Sequence, residues 1–506
     1  MKKIHTLDNL AKIVSKLKNK SKSVVLCHGV FDLLHVGHIK HLKKAKSLGD
    51  KLVVTITADR FVNKGPGKPL FNEKLRAEAI AALEMVDFVA INENSTAINT
   101  IKAIKPSIYC KGKDYINLKD DVTGEIKNEL KELKKYNGRV VFTQELTFSS
   151  SRLINSETNF YSDKHKKNIK KIKQVYSFKN IKKTVEDFDK LKVLVIGETI
   201  IDQYNFCEAI GKSGKEPMLV LKEINTENYL GGVLAIAKNL NEFSKNITIL
   251  SMIGEKKEYL KEIRKDLPKN IKTKFFFKKD SPTIVKKRFV DNISNSKVLG
   301  VYNLNDDILS NKEVSTFNKY LKKEIKKYDL VVVSDYGHGL ITESSAKIIC
   351  KYSKFLALNA QVNAFNIGYH TIKNYGNFNT LIVNEKEIRH EMRDKGSKIE
   401  GLMINLANER NVKNLIVTKG SSGSILYNKD RKDFFYAEAY ATKVVDKIGA
   451  GDTMLSLIGL CLKVKLNSEL ALLMSSLGAA QSVQSLANKD TLSKVSMLKT
   501  LENIFK

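Results

Sequence analysis

From residue 22 onward, short apolar runs of strand length alternate with longer stretches in which apolar and polar positions mix at helical spacing. Val24-Val25-Leu26 leads to a helix-like segment at 37–48, then Leu52-Val53-Val54-Thr55-Ile56, a second helix-like segment at 72–84, and Asp87-Phe88-Val89-Ala90-Ile91. Such alternation predicts a parallel sheet covered by helices. A second series starts at LKVLVIG (191–197) and runs through NITILSMIG, DLVVVSDYG, FLALN, TLIVN and NLIVTKG. Two α/β domains in tandem are expected, over 1–155 and 191–506. Residues 156–190 hold no Gly or Pro and many Lys, and read as a solvated helical connector. No internal repeat links the halves.

A chain of 506 residues has room for two or three domains with proper cores. Its 42% apolar and 28% charged residues exclude disordered and fibrous classes. No signal peptide is visible, and no uncharged apolar stretch approaches the ~18–20 residues of a bilayer span. A cytoplasmic enzyme without membrane insertion is expected. Cys27, Cys110, Cys207, Cys350 and Cys461 lie far apart with no CxxC pair, which argues against a disulfide framework or thiolate metal site and for buried thiols. The net charge of +32 would attract any phosphate, nucleic acid included. Yet Lys is scattered along the chain, with no Arg-rich block and no DNA- or RNA-binding motif. The expected partners are anionic small molecules rather than nucleic acid.

The most concentrated chemistry is HGVFDLLHVGH, residues 28–38. His35 and His38 fall on one side of a helix start, where free N–H groups and the dipole already favour an anion. Gly29 and Gly37 let the backbone approach phosphate. A zinc pair would need a third ligand, and none lies nearby in sequence. His28 and His41 suit ordinary satisfied histidines. The stretch GVFDLLHVGHIKHLKKAKSLGD resembles the signature of cytidylyltransferase-like nucleotidyltransferases, with His35-Val36-Gly37-His38 as HxGH. GKPLFNEKLRAEAIAALEMVDFV with Arg76, IKPSIYCKGKDY with Lys111 and Asp114, and TFSSSRLI with Ser149, Ser150 and Ser151 follow in order. The resemblance implies a Rossmann-like domain that transfers a nucleotidyl group from ATP or another NTP to a phosphorylated alcohol or sugar, releasing pyrophosphate. His35 and His38 would steady the α-phosphate, and Lys46 and Arg76 the β- and γ-phosphates. Gly29, Phe31, Lys111, Asp114 and the serines would complete the nucleotide site, with Mg²⁺ accompanying the NTP.

In the carboxy-terminal half, DKIGAGDTMLSLIGLCL sets Gly449-Ala450-Gly451-Asp452 before an apolar helix. Small residues there expose consecutive N–H groups as an anion hole, and the carboxylate after them can take a proton from an attacking hydroxyl. A lone GxGD equally suits an Asp that caps a helix. Further motifs resemble the ribokinase-like (PfkB) sugar kinases: GETIIDQY with Asp202, GGVLAIAKNL with Gly231, Gly232 and Asn239, PTIVKKRF with Lys286 and Arg288, SDYGHG with Asp335, NEKE with Asn384 and Glu387, and VTKGSSG with Thr418, Gly420 and Gly423. This implies a ribokinase-like α/β domain with a small β-sheet lid near 203–230 and 283–304. Asp452 would be the general base, and Gly449, Ala450 and Gly451 the anion hole. Asn384 and Glu387 would organise Mg²⁺, while Thr418, Gly420 and Gly423 border the nucleotide. Asp202, Gly231, Gly232, Asn239 and Asp335 would face the sugar, with Lys286 and Arg288 on a phosphate it already bears. Kinases of this kind pair through the lid, so a homodimer is expected.

Together the motifs resemble the bifunctional heptose 7-phosphate kinase and heptose 1-phosphate adenylyltransferase family, which makes ADP-heptose for lipopolysaccharide. The implied substrates are a sugar phosphate and an NTP. Three features depart from it. The transferase precedes the kinase; Asn359-Ala360-Gln361 stands where an Asp-Pro-Lys stretch is usual; and Gly197-Glu198 replaces Gly-Asp. A different sugar or polyol with CTP or GTP, or an altered kinase, is the alternative these departures leave open.

Overall fold

The computed structural model describes residues 3–62, 64–65, 67–112, 121–143, 162–362 and 366–505. The chain forms two compact units, Met1–Lys173 with Val495–Lys506, and Gln174–Lys494. The division falls inside the connector, which is helical over Asp163–Val175 and Phe178–Asp187. Residues 495–506 join the first unit instead of ending the second, because helix Lys494–Phe505 buries Met497, Leu498, Leu501 and Ile504. Its Thr500 methyl lies 3.0 Å from where a Cβ would stand on Gly65. An amphipathic tail does not announce its partner in sequence.

In the first unit the elements are α1 (Leu7–Asn19), β1 (Val24–Gly29), α2 (Val36–Lys46), β2 (Lys51–Thr57), α3 (Glu73–Ala81), β3 (Phe88–Asn92), α4 (Ile98–Ile104), β4 (Ile108–Gly112), α5 (Glu125–Lys134) and β5 (Arg139–Thr143). The sheet is parallel in the order β3-β2-β1-β4-β5. Because strand side chains alternate, Val25, Cys27 and Val54 pack with Leu42, Ala45 and Ile80 on one face, while Val24, Leu26 and Val53 pack with Leu10, Ile101 and Leu133 on the other. The strand order reverses between β1 and β4. In sheets of this kind the crevice at that switch point, beyond the carboxyl ends of the strands, takes the ligand. The HxGH segment leaves β1 there.

The second unit carries β6 (Lys192–Gly197), β7 (Thr199–Lys212), β8 (Leu219–Gly232), β9 (Asn246–Gly254), β10 (Lys272–Lys278), β11 (Ile284–Asp291), β12 (Lys297–Asn303), β13 (Leu330–Asp335), β14 (Leu356–Ala360), β15 (Phe378–Asn384), β16 (Val412–Thr418), β17 (Ser424–Asn428) and β18 (Asp433–Ala437). Nine of them form one sheet, β10-β9-β6-β13-β14-β15-β16-β17-β18, parallel except at β17 and β18. The other four, β12-β11-β7-β8, form the separate small sheet expected as a lid. Its outer stretch exposes Ile210, Met218, Leu219, Ile224, Leu299 and Val301.

Candidate functional site

Two groups of functional side chains stand out, one in each unit. In the first, His35 is the N-cap of α2, its Nδ1 accepting from Gly37 N at 3.1 Å. A ring that caps the helix is thereby held over the first-turn amides, the place where an anion is favoured. His38 stacks on it, ring centres 4.0 Å apart and nearly parallel, and meets the Phe31 edge at 5.3 Å. Burial, His35 and Lys64 push the His38 pKa down to about 3, and burial and Lys64 lower that of His35. Both are neutral at physiological pH. His38 Nδ1 is buried with no hydrogen-bond partner among the described residues, a cost that a bound polar ligand could relieve. Gly29 leaves room for the Phe31 ring, which would stand 3.1 Å from a Cβ there. Phe31 itself takes the left-handed conformation, φ 49°.

Two expected phosphate cations are engaged elsewhere. Lys46 ends α2, where its ammonium meets Asp87 Oδ2 and the Asp50 carbonyl, each at 2.6 Å. An α-helix rises about 1.5 Å per residue, so this is roughly 15 Å along the axis from His35. Arg76 is fully buried, donating to the Phe71 and Thr57 carbonyls at 2.9 Å and to the Val30 carbonyl and Asp59 at 2.5 Å. Its fork staples the loop after β1 to the end of β2. Lys111 is buried against Glu129 at 3.5 Å and over the Tyr109 ring. Asp114, Ser149, Ser150 and Ser151 lie outside the described residues. His28 and His41 bond Thr55 and Thr143 at 3.0 and 2.7 Å, as ordinary satisfied histidines would.

The positive charge beside the histidines comes instead from the Gly-rich segment after β2. Lys64 acts on His35 and His38, and burial with Lys64 brings Lys68 down to about 8. Asp32 secures that segment by accepting from Leu70 N and Phe71 N at 2.8 and 3.0 Å. The KGPGKP run, two lysines among turn formers, was the available signal for this loop.

In the second unit one cavity of about 800 Å³ gathers most of the expected kinase residues. Asp202, Gly232, Lys286 and Arg288 line one part of it; Gly449, Ala450, Gly451 and Asp452 another; Asn384, Glu387, Thr418, Gly420 and Gly423 a third. Gly449, at φ 86°, is the N-cap of helix Ala450–Lys463, so Asp452 is not the cap but sits in the first turn. Its carboxylate accepts from Tyr336 Oη at 3.0 Å, and burial lifts its pKa to about 7. A carboxyl balanced near neutrality beside a row of helix-start amides can accept a proton from a hydroxyl whose oxygen attacks phosphorus.

Arg288 donates to Asp202 Oδ1 at 2.5 Å, so one arm of its fork is committed. The Lys286 ammonium lies over the rings of Tyr302 and Tyr336 at 5.7 and 5.6 Å, with no hydrogen bond or ion pair among the described residues. Burial lowers its pKa. Asn384 and Glu387 form a capping box: Glu387 N donates to Asn384 Oδ1 at 2.9 Å and Asn384 N to Glu387 Oε2 at 2.7 Å. Burial raises Glu387 to about 7. This carboxylate and amide on a cavity wall fit a hydrated Mg²⁺, an ion that takes oxygen donors and keeps several waters.

Gly231, Asn239 and Asp335 do not line the cavity. Asn239 bonds Thr453 Oγ1 and Leu492 N, both at 3.1 Å, and Asp335 accepts from Tyr375 Oη at 2.7 Å and Gly337 N at 3.0 Å. Gly231 leaves space for the Asp202 carboxylate. Glu198 stood out in the sequence only as a departure from Gly-Asp. Buried and raised to about 7 by desolvation and Asp335, it accepts from Tyr336 N at 3.0 Å and His338 N at 3.2 Å, fixing the SDYGHG turn. At the substituted Asp-Pro-Lys position, Asn359 donates to the Ile382 carbonyl at 2.8 Å and its buried Oδ1 has no partner among the described residues; Asn359 and Gln361 both line the cavity.

Known proteins share these features. Residues 26–162 match the cytidylyltransferase-like family and residues 190–493, more than half the chain, the pfkB family carbohydrate kinases. The bifunctional protein HldE of Aliarcobacter butzleri is 43% identical over 138 residues, 27% of this chain and 29% of that protein. HldE of Campylobacter jejuni is 28% identical over 276 residues, 54% and 57% of the two chains. Each match spans less than two thirds of the relative. Phosphofructokinase-2 from Escherichia coli, solved with substrates and products, superposes with TM-score 0.50 at 12% identity over 62% of this chain and 99% of that one, a likeness of fold. The chain belongs to the pfkB family of carbohydrate kinases and bears a cytidylyltransferase-like domain ahead of its kinase domain.

Proposed function

We propose that the protein is a bifunctional enzyme of sugar-nucleotide biosynthesis. Its kinase half phosphorylates a sugar phosphate of the heptose 7-phosphate kind with ATP, and its transferase half moves a nucleotidyl group from an NTP, ATP by preference, to the sugar 1-phosphate. The observation that carries the reading is the placement of Asp452, the Gly449–Gly451 amides and Lys286 around one cavity in a chain that also sets His35 and His38 over a helix start. In the first reaction the acceptor hydroxyl gives its proton to Asp452 as its oxygen bonds the γ-phosphorus, and ADP leaves. Lys286, which has no ion pair among the described residues, holds the phosphate already on the sugar, and Asp202, oriented by Arg288, takes sugar hydroxyls. Asn384 and Glu387 would hold the Mg²⁺ that accompanies ATP, and that ion would supply positive charge to the transferring phosphoryl group.

In the second reaction a sugar-phosphate oxygen attacks the α-phosphorus and pyrophosphate departs. Little covalent help is needed, so positioning and fixed charge do the catalysis. His35 and His38 meet the α-phosphate, with Lys64 and Lys68 beside the rest of the chain of phosphates. Between the steps a separate phosphatase removes the first phosphate of the bisphosphate. The exposed apolar side chains of the small sheet support pairing of two lids in a homodimer, and the product, an ADP-heptose-like sugar, suits a cytoplasmic enzyme feeding lipopolysaccharide.

A second reading, the same chemistry on another sugar or polyol with CTP or GTP, draws on Asn359 and Gln361, which give the cavity wall amides in place of an acid and an amine. An acceptor panel run with ATP, CTP and GTP tests both. ADP formation with heptose 7-phosphate, and pyrophosphate release from ATP with heptose 1-phosphate, supports the first reading; turnover confined to another acceptor selects the second. No turnover with any phosphorylated sugar or polyol defeats both.

A further inference from the structure

The parallel register of β1 and β4 places Cys27 opposite Cys110. Over them runs α2, whose His41 lies one turn beyond His38. The two sulfurs and a ring nitrogen of His41 all lie within 4.8 Å of one another, and both cysteines are free and buried. We propose that Cys27, Cys110 and His41 form a binding site for a thiophilic divalent cation of the Zn²⁺ class, tying the HxGH helix to the two strands at the switch point.

Ligand chemistry selects the ion. Two thiolates and an imidazole are soft donors that suit Zn²⁺ and its congeners, whereas Mg²⁺ and Ca²⁺ take oxygen. Charge selects the valence: two thiolates cancel a divalent ion, so the filled site is neutral and tolerates burial, while a monovalent ion would leave a buried negative charge. The two thiols already hydrogen-bond to each other, so the sulfurs stand side by side before any ion binds. His41 Nδ1 meets Thr143 Oγ1 at 2.7 Å, and Thr143 in turn donates to the Lys111 carbonyl at 3.4 Å. Outer contacts of this kind orient a ligating imidazole. Lys111, whose charge acts on Cys27, is itself offset by Glu129 at 3.5 Å. Binding is a plain exchange: each S–H bond is replaced by an S–metal bond, two protons pass to solvent, and nothing is oxidised.

Co²⁺ added to the full-length, reduced protein reads the site directly. The expected result is a thiolate-to-cobalt charge-transfer absorption that saturates at one equivalent, disappears on adding Zn²⁺, and strengthens in affinity as pH rises because protons are released. Cys110→Ser should weaken Co²⁺ binding by about 100-fold or more, and His41→Gln by about 10-fold or more, taking 10–100-fold for the loss of even an outer contact as the guide. A far-UV circular dichroism spectrum and a first-unit thermal transition like those of the unaltered protein serve as the check that each variant is folded. Absence of the charge-transfer band in the unaltered protein overturns the proposal. So does a band whose affinity is unchanged in His41→Gln, the milder substitution, or in a folded Cys110→Ser.

Discussion

In the proposed reactions the two sites would handle the same chemical load, charge on phosphorus, with opposite titrating groups. Around the switch point of the first unit, burial, His35 and Lys64 hold His38 near 3, and burial and Lys111 hold His28 and His41 near 4. In the cavity of the second, burial lifts Asp452 and Glu387 to about 7. Desolvation disfavours the charged form in both cases, lowering a base and raising an acid. One physical cause therefore gives neutral, donor-ready rings where no proton needs to be taken, and a half-protonated carboxylate where a hydroxyl must lose one. A sugar phosphate attacking the α-phosphorus arrives already ionised; a sugar hydroxyl does not.

The sharpest way to break this comparison is to remove the base. Asp452→Asn should cut ATP-dependent phosphorylation by roughly 10²–10⁴-fold, the range for a general base, and leave pyrophosphate release intact. Assays of both activities on one preparation decide it, and equal losses in both would contradict separate duties. The reverse case is somewhat smaller: His38→Ala should lower pyrophosphate release by about 10²–10³-fold, as for loss of a transition-state donor, with phosphorylation unchanged. The pH profiles separate next. A base with pKa about 7 is protonated below that value, so kcat/KM of the kinase should fall about tenfold per pH unit below about 7. His38, lowered to about 3, is neutral throughout the range, and His35 is lowered as well, so kcat of pyrophosphate release at saturating NTP should stay flat between pH 7 and 8.

How much of this was readable from sequence differs between the halves for a physical reason. Local motifs carried the parts built within one turn: His35 and His38 on a helix start, and Gly449 to Asp452 before another. The strand and helix order was equally legible, since burial of a parallel sheet leaves continuous apolar runs. Less legible were the partners that side chains take across long separations. Arg76 and Lys46 look like free cations in a string of letters, yet the Val30 carbonyl, Asp59 and Asp87 claim them. Asp335 and Asn239 likewise turn to Tyr375 and Thr453. Cys27 and Cys110 looked too far apart to cooperate until the register of two strands joined them. Glu198, read as a minor departure from Gly-Asp, proves to organise a whole turn.

Among the cations that remain, Lys68 makes a graded test. Its amine, lowered to about 8 by burial and Lys64, loses its charge as pH rises through that value, so it attracts a triphosphate less above it. The KM for the NTP in pyrophosphate release should therefore climb severalfold between pH 7 and 9, and Lys68→Met should flatten the climb. Unchanged KM over that interval would remove Lys68 from the nucleotide site.

The smallest effect is the most discriminating about Lys46. Its ammonium bonds Asp87 and the Asp50 carbonyl, at the end of α2 remote from the histidines. Removing it in Lys46→Met strands no buried charge, because Asp87 keeps Lys51 at 2.8 Å and the Leu52 amide at 2.8 Å. With both partners of the lost pair partly exposed, the cost in stability should be at most about 1 kcal/mol. The rate of pyrophosphate release and the KM for the NTP should each stay within about twofold, since a screened charge more than a Debye length away, about 8–10 Å, contributes little. A tenfold rise in KM would instead return Lys46 to the triphosphate and require α2 to rearrange when the nucleotide binds.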